Sequence, residues 1–290
     1  MLVVDKPEGI TSHDVVNRVR RLANTRRVGH LGTLDPMATG VLPLVIGRAT
    51  RLAQFFSAGE KRYDGRIRFG WATDTYDREG SPVSPPVAPR FSRDELEAAL
   101  AQFRGTFRQT PPPFSAKKIA GTPAYRMARQ GVAVALEPVE VQVVALDLVE
   151  FDGTTARVRV HCSAGTYVRS IAHDVGQRLG CGAFLENLRR TASGEFTEGQ
   201  ARTLDVLKEM AAAGCLEEAL IPAAQVLPQF PNASVDSVTA GQIRQGKDFR
   251  LSPFVDRGGV KYVKAIGPGG ELIAIGEIRL PHLYHPVLVL

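Results

Sequence analysis

Apolar residues recur along this chain at two spacings, and the switches between them mark the elements. The opening VVDKPEG reads as a short strand running into a turn that carries Pro7 and Gly9. Thr11-Ser12 has the chemistry of a helix N-cap. Val15, Val16, Val19 and Leu22 then follow at helical spacing, which predicts a helix over about 13–24. RRVGHLGTLDPMATG at 26–40 is polar, and its Gly29, Gly32, Gly40 and Pro36 suit a loop with an unusual backbone path. VLPLVIG at 41–47 is a buried apolar segment, and 62–70 and 141–151 read as strands. In TARVRVHC, 155–162, the alternation is strict: Ala156, Val158, Val160 and Cys162 face one side, and Arg157, Arg159 and His161 the other. GTYVRSIAHDVGQRLG, 165–180, returns to helical spacing, with Val168, Ile171, Ala172, Val175 and Leu179 on its buried face.

Between these segments, EGSPVSPPVAPR at 79–90 is a Pro/Ser-rich loop, and Leu96, Leu100 and Phe103 predict a helix over 93–103. Residues 105–124 hold Pro111-Pro112-Pro113 and read as an irregular excursion; a long basic loop inside a compact domain is usually functional or mobile. Residues 203–227 read as helical and connecting. Beyond Pro228 and Pro231 short strands with glycine turns, 259–266 and 271–279, suggest a small β-barrel. The expectation is an α+β catalytic portion over 1–228 and a separate module over 229–290, with no internal repeats.

Composition adds limits. With 290 residues, 44% hydrophobic and 23% charged, the chain can build a core without staples. Cys162, Cys181 and Cys215 show no paired spacing, so no disulfide framework is expected and a reducing cytoplasm fits. MLVVDKPEG is not a signal peptide, and no run approaches the roughly 20 apolar residues of a membrane span.

The net charge of +6 and pI near 9.4 point weakly to a polyanionic partner. Its distribution says more. Residues 1–51 hold eight Lys/Arg against four acids, and 104–136 hold six Lys/Arg and no acid. Two such stretches form either one phosphate-binding face or two solvated surfaces.

No Walker A, G-x-G-x-x-G, H-E-x-x-H or C-x-x-C sequence is present, and the histidines and cysteines are too scattered for a metal site. Asp35 stands out as an acid among basic clusters, where it would be held charged and serve as nucleophile or base. The alternative is a turn-capping role, since Asp-Pro commonly opens a turn.

Five segments decide between these. GHLGTLDPMATGVLPLVIGRATR (29–51), DKPEGITSHDVV (5–16), HCSAGTYVRSIAHDVG (161–176), KRYDGRIRFG (61–70) and TPPPFSAKKIAGTPAYRMARQG (110–131) resemble, in order, the motifs of the TruB-type tRNA pseudouridine synthases, which are related to the Cbf5/dyskerin group. The resemblance is collinear over about 3–192. It implies a pseudouridine synthase fold: a central mixed, largely antiparallel sheet flanked by helices. It further implies that Asp35 is catalytic, that His30 fills the stack vacated by a flipped nucleotide, and that Tyr63 lies against the target uracil. Tyr167 and Arg169 match the G-T-Y-x-R motif, with Arg169 pairing with Asp35 to keep it ionised, and Leu188 forms a pocket wall. Ala164 departs from the pattern, since many relatives carry lysine there.

The same resemblance implies a substrate, uridine 55 in the T loop of tRNA, isomerised after base flipping without cofactor or metal. The basic insertion at about 104–130, with Lys117, Lys118, Arg126 and Arg129, would clamp the T stem-loop. Residues 229–290, opening with VDSVTAGQIRQGKDFR, resemble a PUA-like RNA-binding barrel. A cytoplasmic monomer with no obligatory protein partner and no membrane association is expected. Whether Asp35 attacks C1′, attacks C6 or removes the 2′ proton is left open. So are two other readings: a guide-RNA-dependent subunit of the Cbf5 kind, and a non-catalytic RNA binder or folding chaperone.

Overall fold

The structure, a computed structural model, describes residues 1–83, 85–115, 117–119, 122–123, 127, 136–251 and 260–290, with backbone only at 118–119 and 122–123. In chain order the elements are β1 (Leu2–Lys6), α1 (Ser12–Leu22), β2 (Val28–His30), β3 (Thr39–Ile46), a 3-10 segment (Gly47–Phe56), β4 (Lys61–Phe69), α2 (Arg93–Ala101), β5 (Gly105–Gln109), β6 (Lys118–Ile119), β7 (Thr122–Pro123), β8 (Val139–Phe151) and β9 (Thr155–Cys162). There follow α3 (Val168–Arg178), β10 (Ala183–Ser193), β11 (Phe196–Thr197), β12 (Arg202–Thr203), α4 (Leu204–Ala212), β13 (Asn232–Ser234), α5 (Ser237–Arg244), β14 (Phe249–Arg250), β15 (Tyr262–Ile266), β16 (Leu272–Leu280) and β17 (Leu283–Val289).

Helix α1 forms where its cap and its apolar spacing agree. Thr11 accepts from the Asp14 amide while the Asp14 carboxylate accepts from the Thr11 amide, a reciprocal box in which the cap contributes about 1 kcal/mol. Val15, Val16 and Val19 are buried together, and the helix ends before Asn24, whose φ of 44° is left-handed. Helix α2 repeats the device with Ser92 and Glu95.

One ten-stranded sheet runs β12-β1-β3-β10-β4-β9-β8-β5, with β2 on β3 and β11 on β10. Its pairings are antiparallel except β1–β12 and β3–β10, so the expected mixed, largely antiparallel sheet is present. Helices α1 to α4 share one core with it, in which Val16, Leu100, Ile171 and Leu207 meet Ile67, Val158 and Cys162. The opposite edge of the alternation in β4 and β9 carries charge: Arg157 grips Asp64 with Nε at 3.0 Å and Nη2 at 2.8 Å.

Strands β13 to β17 make a separate five-stranded sheet, ordered β13-β15-β16-β17-β14, the curled PUA-like module expected at the C-terminus. It does not stand alone. Leu272, Ile275 and Leu288 pack in a common core with Val3 and Val45 of the first sheet and with Met1, Leu31 and Leu52 beside it. Lys264 crosses the joint and donates to the Ala224 and Val226 carbonyls, each at 2.9 Å.

Several boundaries differ from the sequence reading. The helix predicted over 165–180 begins at Val168, because Gly165 takes φ 87° and holds 163–167 as a loop. Residues 105–109 are not irregular but form β5 against β8. Within 203–227 only Leu204–Ala212 is α-helical, followed by a 3-10 turn at Leu216–Ala219. Residue 259, the start of one predicted strand, lies outside the described residues, and β15 begins at Tyr262. Among the described residues no helix is long and apolar enough to cross a membrane.

Candidate active site

Residues 31–38 leave β2 and return at β3 without forming regular structure, so their backbone groups need partners elsewhere. Three side chains supply them, and a fourth holds the Asp35 carboxylate. Buried Ser12 donates to the Leu34 carbonyl at 3.0 Å and accepts from the Leu34 amide at 2.8 Å. Lys6 donates to the carbonyls of Pro7, Ile10 and Pro36 at 2.9, 2.7 and 3.1 Å. Arg190, only 1% exposed, donates to Val41 at 2.7 Å, Gly32 at 3.1 Å and Thr33 at 3.4 Å. Arg169 holds the Asp35 side chain itself. The loop is therefore tied on every side, with the Asp35 carboxylate left pointing into a pocket.

Arg169 stands at the second residue of α3 and is 4% exposed. Its Nε lies 2.9 Å from Asp35 Oδ2, and its Nη2 donates to Asp35 Oδ1 at 3.1 Å. The remaining face of the guanidinium reaches Asp77 Oδ2 at 3.3 Å, the Thr75 carbonyl at 2.9 Å and the Phe114 carbonyl at 3.0 Å. One cation thus bridges two carboxylates. Asp35 is enclosed by protein yet keeps 34% side-chain exposure, which fits a group on the floor of an open pocket. Burial pushes its carboxyl above the ordinary range; Arg169 pulls it down, and Asp77 pushes it up again. The expected ion pair is present, but burial outweighs it, so charge counting alone misjudges the direction.

The pocket has a volume of about 470 Å³ and is lined by His30, Asp35, Tyr63, Tyr167, Arg169 and Leu188, together with Lys61, Arg190 and Phe56. Six residues singled out from the sequence, separated by up to 158 positions, therefore meet around one carboxylate. Tyr63 faces the Arg190 guanidinium, and burial raises its phenol above the usual value. His30 is shifted the other way, by burial and then by Arg190, so its ring is neutral at neutral pH. Leu188 sits opposite Gly65 on β4; a Cβ at Gly65 would come within 3.2 Å of its Cδ1, so the glycine leaves room for this wall. Tyr167 caps α3 through Gln109, whose amide accepts from the Tyr167 N–H at 2.8 Å and donates to its carbonyl at 3.0 Å.

Lys6, Asp77, Gln109 and Arg190 were not legible as site residues from spacing. Lys6, Gln109 and Arg190 are almost fully buried polar groups whose partners are mostly backbone carbonyls or amides, and such partners leave no mark in a sequence. Lys61 also lines the pocket, and burial lowers its ammonium pKa to about 8.

Of the basic insertion, Lys117 is described and donates to the Glu137 carbonyl at 2.9 Å; Arg126, Arg129 and the side chain of Lys118 lie outside the described residues. In the N-terminal stretch Arg18, Arg26, Arg27 and Arg48 are exposed, and none forms an ion pair among the described residues. No group of His, Cys, Asp and Glu that could hold a metal occurs among the described residues.

The model of the TruB family pseudouridylate synthase N-terminal domain matches residues 20–168, and that of the tRNA pseudouridylate synthase B C-terminal domain matches 169–228. A tRNA pseudouridine synthase B of Solibacter usitatus is 58% identical over 290 residues, covering 100% of this chain and 99% of the relative. One of Aquifex aeolicus is 39% identical, covering 96% and 95%. Among solved structures, a Cbf5-Nop10-Gar1 complex aligns with TM-score 0.70 at 26% identity over 97% of this chain and 78% of that one. An H/ACA RNP bound to a substrate RNA containing 2′-deoxyuridine shares the fold, with TM-score 0.72 at 24% identity over 100% and 83%. With the family models and full-length relatives in agreement, the chain belongs to the TruB family of pseudouridylate synthases.

Proposed function

We propose that this protein isomerises uridine to pseudouridine in tRNA, at position 55 of the T loop, with Asp35 as the catalytic residue. The observation that carries the reading is the Asp35 carboxylate on the floor of a pocket walled by Tyr63, Tyr167 and Leu188. Its volume, about 470 Å³, falls in the range of small-molecule sites. The reaction breaks the C1′–N1 bond, turns the uracil and rejoins it through C5, so it needs a carboxylate, a place for the detached base and no outside group. Asp35 acts by attack at C1′, by attack at C6 or by removal of the 2′ proton. The flat faces of Tyr63 and the apolar wall of Leu188 hold the base while it turns. Arg169 keeps enough of the Asp35 population ionised against the burial that favours the neutral acid.

The target nucleotide must first leave its stack, at a cost of about a few kcal/mol. His30, a neutral ring at the edge of the pocket, is suited to fill the gap. Exposed Arg18, Arg26, Arg27 and Arg48 supply phosphate contacts, and the 104–130 insertion with Lys117, Lys118, Arg126 and Arg129 clamps the stem-loop. The five-stranded module over 229–290 adds RNA contact.

The test is tritium release from a [5-³H]uridine-labelled tRNA transcript, with the modified position mapped afterwards. Wild type is expected to release tritium without partner proteins, and Asp35→Asn to release none while binding RNA within about tenfold of wild type. Release that requires added proteins and a guide RNA would replace this reading with a partner-dependent enzyme. Tight binding with no release from either form would leave an RNA chaperone.

A further inference from the structure

Arg169 does not meet a rigid wall at Asp77. The carboxylate sits on an irregular segment, 70–81, that crosses the open end of β4 and β10. Asp77 Oδ1 is held by the Thr75 hydroxyl at 2.6 Å and the Glu79 amide at 3.1 Å, which leaves Oδ2 for Arg169. The Thr75 carbonyl, two residues earlier, also accepts from Arg169. Between these two contacts lies Tyr76 with φ of 65°. That left-handed conformation is costly for a bulky side chain, and it persists only where the surroundings over-determine it.

The surroundings are specific. The Tyr76 ring stacks on the imidazole of His173, with centroids 3.7 Å apart and planes 13° from parallel. His173 follows Arg169 by four residues on α3, so the two side chains leave the same helix face one turn apart. Nδ1 of His173 is buried with no hydrogen-bond partner among the described residues. The ring is therefore placed by stacking rather than by that nitrogen. The Tyr76 carbonyl accepts from the Leu185 amide at 3.0 Å, which ties the same residue to β10.

We infer that the Tyr76–His173 stack is a positioning device for the reaction: it holds residue 76 left-handed so that the Thr75 carbonyl and the Asp77 carboxylate converge on Arg169 and fix the guanidinium against Asp35. Neither ring lines the pocket, and both act through Arg169. The inference rests on the reading of Asp35 as the catalytic group. Helix α3 contributes two consecutive holds on one segment, an ion pair from Arg169 and a ring contact from His173. Burial keeps the His173 ring below its ordinary pKa, so the stack is between uncharged rings at neutral pH.

The test uses Tyr76→Gly, Tyr76→Phe, His173→Ala and the double variant Tyr76→Gly/His173→Ala in the full chain, assayed by tritium release with thermal melting alongside. Glycine accepts the φ of residue 76 without strain, so Tyr76→Gly is expected to melt within a few degrees of wild type. Its kcat should fall about tenfold while KM for tRNA stays within about twofold, because ground-state binding is untouched and only the geometry at Asp35 is loosened. Tyr76→Phe, which keeps the ring face, should restore kcat. The double variant should be no slower than Tyr76→Gly alone. Wild-type kcat in Tyr76→Gly, a loss confined to KM, a Tyr76→Phe as slow as Tyr76→Gly, or two losses that multiply in the double variant would each overturn the inference. A wild type that releases no tritium would instead remove the catalytic reading beneath it, and the inference with it.

Discussion

Replacing Arg169 by methionine keeps the apolar bulk of the side chain and deletes the one charge shared by Asp35 and Asp77. In the wild type that guanidinium serves two carboxylates and two backbone carbonyls, all within 3.3 Å. Removing one partner of a buried ion pair costs about 3–5 kcal/mol, because a charge is left without compensation. Asp35 is partly open to the pocket, so the lower end, about 3 kcal/mol, is expected. For a chain of this size that corresponds to a fall in Tm of roughly 6–12 °C. The penalty has a sign in pH. Burial already raises the Asp35 carboxyl, and the loss of Arg169 removes the largest opposing influence. A carboxyl raised in the folded state contributes stability below its unfolded value, near 4, and loses it as pH rises through the folded value. The variant should therefore be closest to wild type at about pH 5 and furthest from it at about pH 8. Turnover should run the opposite way. More of Asp35 is protonated at neutral pH, so kcat falls, and the acid limb of its profile moves to higher pH. Urea unfolding at the two pH values, with tritium release across the range, reads both. A penalty below about 1 kcal/mol, or one that does not change between the two pH values, would refute the shared-cation reasoning.

Ser12→Ala deletes both hydrogen bonds to Leu34 and should cost about 1–3 kcal/mol in urea unfolding while lowering kcat, since the loop that carries Asp35 loses a tie. Gly40→Ala places a Cβ 2.3 Å from the Arg190 carbonyl at a φ of 99°, so the parallel β3–β10 pairing must open; soluble yield and melting should both drop sharply. Burial pushes the Asp174 carboxyl up to about 6 against the pull of Arg178, so Asp174→Asn should stabilise the protein by about 1 kcal/mol at pH 8 and by nothing measurable near pH 4, where the wild-type group is already protonated. Denaturant midpoints at the two pH values check it.

Much of this could be read before any coordinates. The period-two run 155–162 is β9 to the residue, with Ala156, Val158, Val160 and Cys162 all buried as the alternation requires. The capping chemistry of Thr11 marked the start of α1. The six residues nominated from the motifs line one pocket. What stayed hidden was of another kind. Arg169 and His173 look like ordinary positions on an amphipathic helix, and nothing in their spacing announces Asp77 or Tyr76 on a loop nearly a hundred residues away. Arg190 looks like half of a basic pair, yet Arg189 turns outward to Asp5 and Glu198 while Arg190 turns inward to three carbonyls. Adjacent strand residues point to opposite faces, but which of the two enters the pocket depends on the register of β10 against β4.

That common core between the two sheets has a consequence for how the chain comes apart. Met1 and Val3 at one end of the sequence share a cluster with Leu272, Ile275 and Leu288 near the other. Loosening the C-terminal strands uncovers apolar surface beside β1 and β3, and β3 is the strand at which the Asp35 loop re-enters the sheet. The five-stranded module is therefore expected to melt with the large sheet in one calorimetric transition, a lesion in either lowering the midpoint of both.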